Sequence, residues 1–565
     1  MSASDKKKLR KEQNAAAMTE RQKKAAKEAN ATKAYTLTFI VAMVLVVAVF
    51  LGITLRTPAT GLINRATNAV VVDGEKLNTV ELNYFYKDYI YAFSDQYSSY
   101  GNYAYTYLQL YTGLDVTKPL DEQVYNNTTG ETWADYFVKA AQDNAKWTFG
   151  MYNKAVSENF TLTDTEEKSL AQMEENLNAI AAYYGYSNAK QYLRAYYGPG
   201  STVKSYMQYK RIETIANSYA AAYYNGLEFK DADYREYEKD KMVNYNSYSF
   251  SYYFLKGDDY LSFNGGGKTE KDENGKETTT YTDEQKAKAL KDAEAAIKSL
   301  AIAENNTLDA LNKAIKALDL HKDKKAEDLE KVKAAENKFV LHGSLANTLT
   351  EDGIKWLADS ARKTGDITMI EVKSGEGENA TVTGYYVLLF QEMTNNAKPL
   401  ANVQHILVKF TGGTKDTTTG TTTYSEAEKK AAKDKAQAIL DEFLKGEKQD
   451  SAAFAKLAST KSEDTGSKAT GGLIEGIYRD SNYVQSFKDW ALDNRKPGDT
   501  GIIESEYGYH VMFYKEDGKM TYRDLMIDSD LTNERYQEWE KAIVDQVTIT
   551  VKNLKGLEHD FKIAG

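Results

Sequence analysis

Two short runs near the C-terminal end of the chain alternate or nearly alternate in polarity, Val403-Gln-His-Ile-Leu-Val-Lys-Phe410 and Tyr507-Gly-Tyr-His-Val-Met-Phe-Tyr514. Both read as β-strands, in which successive side chains point to opposite faces. His405 then shares a face with Leu407, and His510 with Met512. Two imidazoles on apolar strands are costly to bury unless each finds a hydrogen-bond partner, and a cross-strand pair satisfies both. Helical periodicity dominates elsewhere. It predicts helices at about 80–97, 132–159, 164–184, 188–197, 203–224, 425–445 and 531–543, the last with Tyr536, Trp539, Ile543 and Val544 along one side. Ala69 to Leu77 reads as a strand and a turn at Asp73-Gly74, Gly198-Pro-Gly200 as a break, and Val547–Val551 as a final strand.

One stretch follows neither period. From Tyr35 to Leu55 there is no charge, and Phe39 to Leu51 is almost wholly aliphatic. At about 1.5 Å per residue it is long enough for a bilayer core of about 30 Å. Residues 1–33 carry ten Lys/Arg against four Asp/Glu. That excess predicts a cytoplasmic tail at 1–33, an uncleaved signal anchor at 34–56 and an extracytoplasmic main body. A cleaved signal peptide is the rival reading, but its apolar run would be shorter.

With the tail at +6, the chain's net −10 leaves −16 on the remainder, which argues against a nucleic-acid partner. The absence of cysteine removes disulfides, thiolate metal sites, cysteine nucleophiles and a lipid-modified cysteine. Of the forty-three tyrosines, 31 crowd into the helical region, about 84–260. Tyrosine combines an apolar ring with a polar tip, so exposed copies suit weak binding of many sequences. Any single one is as well read as ordinary packing.

Between the two His-bearing strands lie seven ordered landmarks: the His405-Ile-Leu strand, Phe454-Ala-Lys-Leu-Ala, Ser462-Glu-Asp464, Gly471-Gly-Leu473, Phe487, Pro497-Gly498 and Gly508-Tyr-His510. This region resembles the parvulin-type peptidyl-prolyl isomerases. The strand–turn–helix region before it is similar in order to the N-terminal part of SurA-type and PrsA-type extracytoplasmic foldases, where such helices bind unfolded chains. The resemblance implies catalytic roles for His405, Asp464 and His510. It implies substrate contacts from Leu473, Tyr483 and Phe487 at a proline slot, and from Ser505 and Tyr507 at its border. Such chemistry calls for no metal or cofactor.

Three collinear echoes mark a second copy. Thr278–Asp292 echoes Thr421–Asp434, Ile354–Asp366 echoes Phe487–Asp499, and Thr383–Phe390 echoes Tyr507–Tyr514. In this earlier copy Tyr386 stands where His510 stands, and the opening strand Tyr248–Leu255 has no histidine. His321 and His342 sit at unrelated places and read as packing or surface residues.

The expected fold is therefore α+β. A helical chaperone domain (66–240) precedes a degenerate parvulin-like domain (244–394), a parvulin isomerase domain (400–517) and a C-terminal helix and strand (518–565) that return to the chaperone domain. The expected activity is cis–trans isomerisation of X–Pro bonds in exported, unfolded clients by a membrane-anchored foldase, self-association being left open. The alternatives are a binding-only chaperone and a surface scaffold built on the same folds. Departures after Gly-Gly, at Ile474-Glu475-Gly476 and in a longer following loop, predict a reshaped slot.

Overall fold

The computed structural model describes residues 4–13, 24, 27, 38–47, 61–271, 276–375, 377 and 380–561. Of the expected anchor, residues 38–47 are helical and exposed, and the rest lies outside the described residues, as does most of the basic tail. Among the described residues no helix is long and apolar enough to cross a membrane. The chain divides into two compact units, Met1–Leu227 with Glu534–Gly565, and Glu228–Asn533.

In the first unit the hairpin β1 (Asn68–Val72) and β2 (Glu75–Asn78) turns at Asp73 and Gly74, both at positive φ. The C-terminal strand Ile549–Val551 pairs antiparallel with β1 to complete a three-stranded sheet. Helices α1 (Thr79–Asp95), α2 (Trp133–Ser157), α3 (Asp164–Tyr183), α4 (Ala189–Tyr197) and α5 (Val203–Asn225) follow. All but α4 begin in a capping box, in which the cap side chain takes an orphan backbone N–H of the first turn and is answered by the third residue. The tyrosines divide. Tyr84 and Tyr86 are fully buried, whereas Tyr103, Tyr111 and Tyr183 are well exposed. Asp88 accepts hydrogen bonds from Tyr197 (2.6 Å), Tyr209 (2.9 Å) and the Lys210 ammonium (2.9 Å), which compensates burial of these polar tips.

The second unit holds two four-stranded antiparallel sheets. The first comprises β3 (Ser247–Lys256), β4 (Ala335–Leu341), β5 (Ile367–Ser374) and β6 (Thr381–Thr394). The second comprises β7 (Pro399–Lys409), β8 (Leu473–Ile477), β9 (Thr500–Ser505) and β10 (Gly508–Thr521). In both, the spatial order is second, first, fourth, third strand. The sandwiching helices match as well. In the first sheet α6 (Asp283–Leu300) covers Tyr385, Val387 and Leu389, while α7 (Glu351–Ala358) covers Tyr386, Leu388 and Phe390. In the second, α8 (Glu426–Lys445) and α9 (Ser451–Lys461) cover Tyr509, Val511 and Phe513, while α10 (Gln485–Leu492) packs against Met512 and Tyr514. The sequence echoes thus fall at equivalent places in two sheets of one topology.

The unit boundaries differ from the expected domain limits. Residues 228–240 and the first half of α11 (Tyr522–Val544) group with the two sheets. There Tyr234 and Tyr245 pack on Ile527 and Leu531, and the buried Arg523 donates through Nε to Glu238. Hydrophobic burial and a hydrogen-bonded ion pair hold these segments to the second unit.

Candidate active site

β7 and β10 lie side by side at the centre of the second sheet, with His405 opposite Met512 and Leu407 opposite His510. That offset places the imidazoles on one face, 5.2 Å between ring centres, with the Nδ1 atoms 3.1 Å apart. Each residue is 5% exposed. His405 Nε2 lies 3.1 Å from Asp464 Oδ2 and 3.0 Å from Ser467 Oγ. Ser467 donates to Asp464 Oδ2 through its hydroxyl (2.5 Å) and its backbone N–H (3.1 Å). On the far side Ser505 Oγ stands 2.8 Å from His510 Nε2.

The charge states of these groups set the direction of the chain of hydrogen bonds. Burial pushes both imidazoles towards the neutral form, His405 below its ordinary value and His510 to about 4, with His405 adding to the effect on His510 and Asp464 opposing both. Burial alone would raise Asp464, but the Ser467 hydroxyl, the Gly466 and Ser467 amides and the adjacent His405 hold it below the usual carboxylate range. An ionised carboxylate only accepts, so His405 carries its proton on Nε2. Its Nδ1 then accepts from His510 Nδ1–H, and His510 Nε2 accepts from the Ser505 hydroxyl. Every buried ring nitrogen is satisfied without a charge on either ring.

Beside the imidazoles, Phe487 from α10 stands edge-on to both rings at 5.2 and 5.6 Å. Tyr483 stacks on Phe487 at 5.6 Å and is 40% exposed. Met512 closes the floor and Ile474 packs into the same cluster. Leu473 does not belong to it. In β8, Ile474 pairs with Val403, on the His405 face, whereas Leu473 pairs with Gln404 and so lies on the opposite face. The slot residue after the glycine pair is Ile474, and the expectation for Leu473 is corrected. The glycines themselves are needed. Both have positive φ, and a Cβ on Gly472 would stand 2.2 Å from the His405 carbonyl oxygen.

The expected residues His405, Asp464, His510, Phe487, Tyr483 and Ser505 are thus brought together. Tyr507 is 59% exposed and meets the site through its backbone, its N–H donating to Ser505 Oγ. Ser467, 2% exposed, was missed. Its only sequence signal is the turn-forming Asp-x-x-Ser spacing. At the equivalent place in the first sheet Tyr252 and Tyr386 meet edge-to-face at 6.1 Å, and the Tyr386 hydroxyl lies 3.0 Å from Thr350 Oγ1. His321 is buried, with Nε2 2.8 Å from the Tyr253 hydroxyl, a packing role.

Residues 385–517 match the PPIC-type PPIase domain family. The chain is similar to foldase protein PrsA 3 of Bacillus cereus, 28% identical over 246 residues, which is 42% of this chain and 71% of that protein. It is 30% identical to foldase protein PrsA of Clostridium botulinum over 168 residues, covering 27% of this chain and 41% of that one. Among solved structures, B. cereus PrsA overlaps 52% of this chain and 96% of its own at 20% identity and a TM-score of 0.17. A SurA-like chaperone structure from Campylobacter jejuni overlaps 57% and 92%, at 20% identity and 0.17. Residues 385–517 thus form a parvulin-type peptidyl-prolyl isomerase domain, and the chain around it is similar to PrsA foldases.

Proposed function

We propose that this chain is a membrane-tethered extracytoplasmic foldase in which His405, Asp464 and His510 serve the isomerisation of X–Pro bonds in exported, unfolded proteins. The observation that carries this reading is the directed chain from Ser505 through both neutral imidazoles to Asp464, set against the Phe487–Met512–Ile474 slot. Rotation about a peptide bond meets a barrier of about 18–20 kcal/mol because resonance puts double-bond character into C–N. Resonance also puts negative charge on the carbonyl oxygen of the planar amide. A carboxylate beside that oxygen disfavours the planar forms, whereas the twisted form, with less charge on oxygen, is tolerated. The slot holds the proline ring still while the preceding carbonyl turns. The histidines and Ser467 hold the Asp464 carboxylate in place without adding a buried positive charge.

The first sheet is read as a degenerate parvulin copy without chemistry, its tyrosine pair replacing the imidazoles. The helical unit is read as the holder of client chains, supported by its exposed tyrosines. The anchor at 34–56 rests on the uncharged run Tyr35–Leu55 behind a basic tail. A protease-coupled assay on a short X–Pro peptide tests the central claim. The full chain should accelerate isomerisation, and His405→Ala or Asp464→Ala should lower kcat/KM by at least about tenfold, near 1.4 kcal/mol. Absence of acceleration by the unaltered chain would leave a binding-only chaperone.

A further inference from the structure

The hydrogen-bond chain of the site ends at Asp464 on one side and at Ser505 on the other, and a glutamate precedes each end in sequence. In β9 alternation turns Ile503 and Ser505 towards the imidazoles, and Ile502 and Glu504 towards α8 on the opposite face. Both glutamates meet a lysine of that helix. Glu463 Oε1 accepts from the Lys435 ammonium at 2.7 Å, and Glu504 Oε1 lies 3.4 Å from the Lys429 ammonium. The buried stripe of α8 runs through Ala432, Ala436, Ile439 and Phe443, and at about 3.6 residues per turn the two lysines leave the helix on either side of it.

Each glutamate is also tied to the sheet. Pairing of β8 with β7 ends at Gln404, and the next bond on that edge runs from the His405 N–H to the Gly472 carbonyl (2.9 Å). Beyond it residues 462–464 stand in for a strand. The Glu463 N–H donates to the Leu407 carbonyl (2.9 Å), and Glu463 Oε2 accepts from the Lys409 N–H (2.7 Å). The buried Ser462 Oγ accepts from the N–H groups of Leu407 and Asp464, at 3.2 Å each. Asp464 is thereby fixed to the strand that carries His405. At the other end Glu504 Oε2 accepts from the hydroxyl of Tyr509, the residue before His510 (2.7 Å). Each carboxylate therefore spends one oxygen on the sheet and the other on α8.

We infer that Glu463 and Glu504 are positioning residues for the isomerase site: through Lys435 and Lys429, α8 grips both ends of the hydrogen-bond chain and keeps the Asp464 carboxylate where the turning carbonyl needs it. The helix suits the task. It is unbroken over 20 residues and starts in a capping box of Ser425 and Glu428, so the two lysines stay about 9 Å apart along its axis. Exposed ion pairs add little to folding stability, whereas misplacing a reacting group by about 1 Å can cost about a hundredfold in rate. The two pairs therefore count for geometry more than for stability. The inference rests on the isomerase reading for its effect on turnover, but its effect on the imidazoles is separate.

The test uses the full chain with Lys435→Met or Lys429→Met, each of which removes one pair and leaves the glutamate its bond within the sheet. Lys430→Met, which breaks the exposed Lys430–Asp434 pair on the same helix, is the control. Exchange NMR on a short X–Pro peptide separates kcat from KM. Lys435→Met and Lys429→Met should each lower kcat by about threefold to tenfold with KM within about twofold, Lys435→Arg should restore kcat, and the control should match the unaltered chain. The ring 15N shifts of His405 report whether its proton stays on Nε2. In Lys435→Met they should move towards the average of the two tautomers, and in the control they should stay in place. Unchanged kcat in both Met variants, an equal loss in the control, or a lowered kcat with unmoved ring shifts in Lys435→Met would overturn the inference. Moved ring shifts in a chain that accelerates no isomerisation even when unaltered would uphold the positioning role and refute the isomerase reading instead.

Discussion

Lowering the pH should loosen the catalytic sheet, and His510 sets the size of the effect. Burial holds His510 at about 4 in the folded chain, against about 6.5 in an unfolded one. Between those values the unfolded state binds the proton and the folded state does not, so stability rises with pH across the window and is lost as pH falls through it. The full difference is about 3 kcal/mol, and by pH 5 about 2 kcal/mol of it should already be gone relative to pH 8. His405 is shifted in the same direction and adds to the loss. Asp464, held low, contributes its stabilisation above the ordinary carboxylate range and gives it up only as pH falls further. Native-state hydrogen exchange of the Val511 and Phe513 amides, corrected for intrinsic rate, measures the opening free energy of β10 directly. In the full chain it should fall by at least about 2 kcal/mol between pH 8 and pH 5, and in His510→Gln the fall should shrink by about that amount. Equal pH dependence in the two proteins, or protection that grows on acidification, would refute the picture of a buried neutral imidazole pair.

Further substitutions examine the slot and the first sheet. Ile474→Ala should raise KM for a short X–Pro peptide by about fivefold, near 1 kcal/mol, through lost apolar contact, whereas Leu473→Ala should stay within about twofold; the reverse ranking would mean the face assignment of β8 is wrong. Tyr386→His, made in the His405→Ala background, should add no isomerase activity to what that background retains, and it should destabilise the first module by about 1–3 kcal/mol because the ring fills space beside Leu388 and Ile370 and its hydroxyl meets Thr350. Thermal unfolding and the protease-coupled assay read both effects, and activity gained by that substitution would show that the first sheet retains a competent slot.

What could be read from the chain follows the reach of its periodicities. The His405 and His510 strands were legible because alternation fixes a face, and two polar rings on otherwise apolar faces need each other. The likeness of the two sheets was legible because Gly384-Tyr-Tyr386 and Gly508-Tyr-His510 keep one pattern around one changed side chain. Counting failed at Leu473 for a physical reason. Gly471 and Gly472 both leave the region open to other residues, so the alternation restarts after them, and either of two adjacent apolar residues could have faced the imidazoles. Ser467 had no period to betray it, since a serine in a turn is as often solvated as buried. The joining of the two sheets was hidden more deeply, since its contacts come from β4, the β6–β7 connection and the loop after β8. Local sequence therefore specifies where the carboxylate and imidazoles can meet, whereas how two sheets of one topology are joined is decided by long-range contacts such as Arg479 on Phe339, which no local period announces.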